Sequence, residues 1–265
     1  MYVKHGDVLS GSLTDAAVWS FVAMVPVVLS AWVGLRFKPS KKITAYFLAF
    51  SSGMLIALLS YDLVEEAFRI SGPYYALMGL FLGLLTYQFS NYWISRSGVK
   101  RRQSVSCGGV GHLSLEQQNE RRTALALLIG AVLDGIPESM SIGITFLENP
   151  LVSNSVVLAV AVANIPEGLA SGAGLRRSGM SPFKILLMWS SVVIACVISA
   201  VLAWLLMKGA PDAVKGLITA FAGGGVLAMT FQAIIPEAYE EIKDWIGLLA
   251  GVGFAIAFLV SHMYH

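Results

Sequence analysis

DGIPESMSIG (Asp134–Gly143) and ANIPEGLASG (Ala163–Gly172) repeat one pattern, an Ile-Pro-Glu core closed by a glycine, inside two neighbouring apolar stretches. The first stretch, Thr123–Leu147, has Asp134 and Glu138 as its only charged residues, and the second, Asn149–Leu175, has only Glu167. A membrane-spanning helix needs about 20 mostly apolar residues, so each stretch is long enough to span. An ionisable side chain near mid-bilayer costs several kcal/mol and is kept mainly where it meets a cavity, a partner or an ion. Two such positions in the same sequence setting point to a duplicated site inside a membrane protein.

The flanking sequence agrees. Ala16–Leu35, Ile43–Tyr61, Ile70–Ser95, Ile185–Met207, Gly216–Pro236 and Trp245–His265 contain no Asp, Glu, Lys or Arg. With the two interrupted stretches this predicts an all-α polytopic membrane protein of eight helices, about 16–35, 43–66, 70–95, 123–147, 150–175, 183–207, 216–239 and 245–264, forming one transmembrane domain over 1–265. Composition excludes the alternatives. Hydrophobic residues make up 56% and charged residues 13% of the chain, with a mean hydropathy of +0.72. Soluble domains carry roughly 25% charged residues. A net charge of +2 gives no reason to expect a nucleic-acid partner, and two cysteines are too few for a disulfide framework. The first fifteen residues carry Lys4, Asp7 and Asp15 and no apolar core, so no signal peptide is visible.

Basic residues orient the helices. The connections after the first, third, fifth and seventh helices hold 14 of the 18 Lys and Arg. Cytoplasmic connections are the basic ones, which places both termini outside. The segment 96–122 is rich in Ser, Gly and Gln and reads as a flexible cytoplasmic loop. His112 within it is a lone loop histidine and reads as solvated. A short chain without organelle-targeting features points to a prokaryotic inner membrane.

The repeat extends beyond the Ile-Pro-Glu cores. AFSSGMLIALLSYDLVEEAF (Ala49–Phe68) and AFAGGGVLAMTFQAIIPEAY (Ala220–Tyr239) also align without gaps. In the topology above, the second and fourth helices run outward and their matches, the seventh and fifth, run inward. This is the inverted repeat of transporters with a pseudo-two-fold axis in the membrane plane, here in a 3+2+3 arrangement.

Spacing then defines a site. Asp134 and Glu138 are four residues apart and Asn164 and Glu167 three, so each pair shares a helix face. Glu138 and Glu167 lie within about 8 Å of mid-membrane at ~1.5 Å rise per residue. Pro137 and Pro166 disrupt the hydrogen bonds to the carbonyls of Leu133 and Val162. Three carboxylates, an amide and two loosened carbonyls form an oxygen-rich set suited to a divalent metal, which would offset the repulsion among the carboxylates. Asp134, Glu138, Asn164 and Glu167 are therefore the predicted metal ligands. The plainer reading, kinking prolines and protonated glutamates, leaves the duplication and Asp134 unexplained. Asp62, Glu65 and Glu66 at the outer end of the second helix are either interfacial or part of an ion entrance. Glu237 has the matching place at the inner end of the seventh. Gln232 is weighed as an ion-path residue against a helix-packing hydrogen bonder.

Together these features resemble the ZIP family of divalent-metal transporters, over about Ala16 to His265. The family's helix 4 motif, H-N-x-P-E-G, stands here as Asp134-Gly135-Ile136-Pro137-Glu138-Ser139. A related helix 5 motif stands as Ala163-Asn164-Ile165-Pro166-Glu167-Gly168, and the helix 7 signature as Gln232-Ala233-Ile234-Ile235-Pro236-Glu237-Ala238. The resemblance implies a two-metal site. Asp134, Ala163 and Gln232 stand where histidines are usual, and no carboxylate occurs in Ile185–Met207. Carboxylate in place of imidazole hardens the site, moving preference from zinc toward manganese or iron.

The leading expectation is a transporter moving a divalent transition metal (Zn, Mn or Fe) toward the cytoplasm, the first helix block rocking against the last. The metal is substrate, not catalytic cofactor. No Walker-type segment couples it to ATP. The absence of H-E-x-x-H argues against an enzyme. The alternatives are a transport-deficient metal sensor or scaffold, and a carrier of a different cation. The lipid bilayer is the expected environment and a homodimer a candidate assembly.

Overall fold

The computed structural model describes residues 12–37, 39–104, 132, 135–147 and 150–264. Among these the regular structure is entirely helical: α1 (Leu13–Phe37), α2 (Lys41–Leu58), α3 (Glu65–Ser104), α4 (135–147), α5 (Pro150–Arg177), α6 (Pro182–Met207), α7 (Asp212–Met229), α8 (Ile235–Ile242) and α9 (Ile246–Tyr264). Local chemistry sets several boundaries. Ser12 and Asp15 form a reciprocal cap on α1: the Asp15 carboxylate accepts the Ser12 N–H at 2.7 Å and Ser12 Oγ accepts the Asp15 N–H at 3.2 Å. Ser40 caps α2 by accepting from the Ile43 N–H at 3.3 Å. Pro182 opens α6, where its missing N–H has no helical partner to lose.

Four described segments are long and apolar enough to cross a membrane: Leu13–Phe37, Lys41–Trp93, Pro182–Met207 and Asp212–Ser261. Two of them run to 53 and 50 residues. At ~1.5 Å per residue that is more than twice a hydrocarbon core of about 30 Å. Both long segments are broken. Gly72 interrupts α3 at φ 77°, a conformation open to glycine, with Pro73 restarting the helix. Lys243 breaks the other at φ 38°. The backbone stays helical through Ser104, past Ser95 where the apolar run ends. Apolar content marks where a span stops, not where the helix does.

α2 and α3 are joined by a π-helical turn, Leu59–Val64, and α7 and α8 by another, Thr230–Ile234. The two occupy matching places in the aligned sequences. The Leu59 N–H bonds to Ile56 and Leu55 carbonyls; the Thr230 N–H bonds to Leu227 and Val226 carbonyls.

Packing repeats in the same pairwise way. A β-carbon on Gly53 of α2 would strike Ala250 O of α9, and one on Gly224 of α7 would strike Leu80 O of α3. In return Gly253 of α9 abuts Phe50 O, and Gly83 of α3 abuts Phe221 O. Gly143 of α4 lies against Ala200 O of α6, while Gly172 of α5 lies against Ala31 O of α1. The close approach of α2 to α9 thus resembles that of α7 to α3, and the approach of α4 to α6 resembles that of α5 to α1. Small residues allow this close backbone approach, and packing rather than apolar burial drives helix association in lipid.

The helices do not group in chain order. α1 packs chiefly on α5 and α6, and α4 reaches α6 through Gly135 and Gly143; α2 packs on α9 and α8, and α3 on α7. The first and second helix blocks expected to rock against each other are thus not separate packing groups in the structure. α3 and α7 lie far apart in the chain yet form the most extensive helix pair among the described residues. The groups meet where α2 crosses α5, with Ser51 Oγ donating to Ala163 O at 3.1 Å.

Candidate metal centre

α4 and α5 are held from behind. Gly168 and Gly172 let α5 lie directly on α1, against Val27, Ser30 and Ala31, and Gly34 of α1 lies against Leu169 O. Ser199 Oγ of α6 donates to Ile136 O of α4 at 3.2 Å. These contacts fix the helices carrying the predicted ligands.

Glu138 is 3% and Glu167 4% exposed. Glu138 Oε1 is fully buried with no hydrogen-bond partner among the described residues. A buried polar atom left unpaired costs about 1–3 kcal/mol, more if charged, which makes this carboxylate a strong candidate ligand. Asn164 is also buried; its Nδ2 donates to Ala23 O at 3.0 Å and lies 3.6 Å from Met24 Sδ. With the amide hydrogens turned to α1, Oδ1 is the atom left for other partners. Asp134 lies outside the described residues. Among the described residues no three His, Cys, Asp or Glu cluster as metal ligands, so the described part of the site is a carboxylate pair with an amide.

The other candidates lie apart from this pair. Asp62 is buried in the first π turn, where Ser261 Oγ of α9 donates to its Oδ1 at 3.0 Å. Glu66 is buried and gripped by both arms of Arg69, Nε at 2.8 Å and Nη2 at 2.7 Å. Glu65 is exposed. Gln232 faces α3: its Nε2 donates to Gln88 Oε1 at 2.6 Å and its Oε1 accepts from Asn91 Nδ2 at 3.1 Å. It therefore bonds as the packing reading anticipated. Glu237, partly buried, has an Oε2 without a partner among the described residues, near Arg177 and beside Glu240 and Glu241. Sequence reasoning missed the Arg69 fork, although Glu66 and Arg69 are a favourable three-residue pair.

The ZIP Zinc transporter family model matches residues 8–259. The zinc transporter ZupT of Shigella flexneri is 26% identical over 253 residues, covering 91% of this chain and 96% of its own. Zinc transporter ZIP13 of Gallus gallus is 23% identical over 174 residues, 63% of this chain and 47% of its own. An Arabidopsis thaliana protein named for zinc transport is 27% identical over 194 residues, 72% of this chain but 29% of that protein. The chain thus spans well under half the length of the plant relative and about half that of the avian one, while it matches ZupT nearly end to end. A family match over almost the whole chain, on a helical fold with paired glutamates behind prolines, makes this chain a member of the ZIP zinc transporter family.

Proposed function

We propose that the protein carries divalent transition-metal ions, zinc foremost with manganese or iron as harder alternatives, across a membrane toward the cytoplasm. Its single transmembrane domain has eight spans in a 3+2+3 arrangement with both termini outside, in a prokaryotic inner membrane. The paired contacts support an inverted repeat that relates the first and sixth, second and seventh, third and eighth, and fourth and fifth spans. The cargo is bound between α4 and α5 by Asp134, Glu138 and Glu167, with Asn164 as an amide ligand. The observation that carries this reading is the orphaned, buried oxygen of Glu138, with Glu167 buried on the helix that follows.

The same geometry suggests the mechanism. α1, α4, α5 and α6 move as one body against α2, α3, α7, α8 and α9, presenting the site to each side in turn. The matched π turns lie in the second body. Asp62, Glu66 and Glu237 sit along the ion path at the ends of the helices bearing those turns. Because metal and protons compete for carboxylates, cargo affinity falls as pH drops.

Zinc uptake into proteoliposomes tests the proposal. Glu138→Gln and Glu167→Gln, nearly equal in volume to the native residues, are expected to abolish uptake while leaving detergent-solubilised thermal stability unchanged. Normal uptake by either variant would overturn the site. Tight zinc binding without uptake by the native chain would instead favour a sensor or scaffold.

A further inference from the structure

Ser141 stands one turn beyond Glu138 on α4, and the two share a helix face, since three residues bring a helix to within about 60° of where it began. Both are buried, and Ser141 Oγ, like Glu138 Oε1, has no hydrogen-bond partner among the described residues. A buried helical hydroxyl ordinarily bonds back to a carbonyl one turn earlier. Ser52 does so to Ala49 O at 2.7 Å, Ser171 to Gly168 O at 3.3 Å, and Thr145, a turn past Ser141, to Ser141 O at 2.8 Å. Ser141 makes no such bond. Nor does the fold demand a hydroxyl there. The second copy of the Ile-Pro-Glu pattern has Ala170 at this place, also buried. Two unsatisfied oxygens thus lie on one face of α4, neighbours by helical spacing, and only one copy of the repeat carries the second of them.

We propose that Ser141 Oγ is a further oxygen ligand of the cargo, serving the ions that take more ligands than zinc, manganese foremost. This rests on the assignment of Glu138 as a cargo ligand. In the site proposed above, Asp134, Glu138, Asn164 and Glu167 supply four ligands, the number that zinc takes in a tetrahedral site. Manganese suits six oxygens in an octahedral array. A neutral hydroxyl donates a lone pair and brings no charge, so it adds a donor without adding to the repulsion among the carboxylates. A hydroxyl that served packing alone would be replaced by alanine, as in the other copy, with no effect on any ion.

The test uses the full chain in lipid nanodiscs, with zinc and manganese affinities from equilibrium dialysis. Ser141→Ala is expected to lower manganese affinity about tenfold, the scale of losing a metal-site partner, and zinc affinity far less. Ser139→Ala removes another buried, unbonded hydroxyl, next to Glu138 in sequence but about 100° round the helix, and is expected to change neither. A second readout is direct. In a Cys107→Ser background, Ser141→Cys puts a thiol where the hydroxyl was. Cadmium is then expected to give an ultraviolet sulfur-to-cadmium charge-transfer band beyond any absorption of the background, and Ser139→Cys to give none. Three results overturn the Ser141 ligand and leave the carboxylate site standing, provided that Glu138→Gln still abolishes zinc binding: manganese affinity unchanged by Ser141→Ala, both affinities lowered alike, or no band from Ser141→Cys. Zinc binding unaffected by Glu138→Gln overturns the carboxylate site and the Ser141 ligand together.

Discussion

Asp62 illustrates what a single buried carboxylate requires. It sits in a π turn, shielded from water, and takes a hydrogen bond from Ser261 on a helix far along the chain. Ser261→Ala removes a donor to a buried, ionisable acceptor and is expected to cost about 1–3 kcal/mol, read from chemical denaturation in detergent. The burial of Glu138, Asn164 and Glu167 was legible in the sequence because each lies inside an apolar run. Asp134 gives the complementary prediction: Asp134→His supplies the imidazole usual in the family and should shift competition in uptake assays toward zinc. An unchanged metal profile would remove Asp134 from the ligand set.

At the scale of elements, glycine position decides which helices touch. Gly53 and Gly224 meet partner carbonyls in matched crossings, whereas a β-carbon at Gly247 or Gly251 would meet nothing within 4 Å. Gly53→Val and Gly224→Val are therefore expected to destabilise the protein by similar amounts, about 1–3 kcal/mol or more because backbone must move. Gly247→Val and Gly251→Val should leave the melting temperature of the purified protein unchanged. Equal effects at all four positions would refute the paired crossings. The sequence alignment of Ala49–Phe68 with Ala220–Tyr239 anticipated that these helices correspond, but not what they pack on. It gave no sign of the π turns either. LSYDLV and TFQAI share no residue at any aligned position, so the turns come from the way the helices are seated and not from a local motif.

For the whole molecule, the all-helical, apolar character was readable because it reflects hydropathy, which acts locally. The grouping of α1 with α4, α5 and α6 was not, since a glycine shows that something comes close without showing which helix it is. Topology can be checked directly. Cys196 is fully buried, so Cys107 is the expected site of thiol labelling. A membrane-impermeant maleimide should label it only after the cells are permeabilised. Labelling in intact cells would reverse the proposed orientation.

The crossed glycine contacts also bear on how the chain is made. The grooves offered by Gly79 and Gly83 of α3 are filled by α7, and Gly53 of α2 by α9. The ribosome releases α2 and α3 long before either partner exists. Newly inserted, the early helices must stay bathed in lipid, or under the care of insertion machinery, until the last part of the chain arrives. Biogenesis of this protein thus has a waiting period built into its topology: α2 and α3 lack their main partners until α9 and α7 have been made.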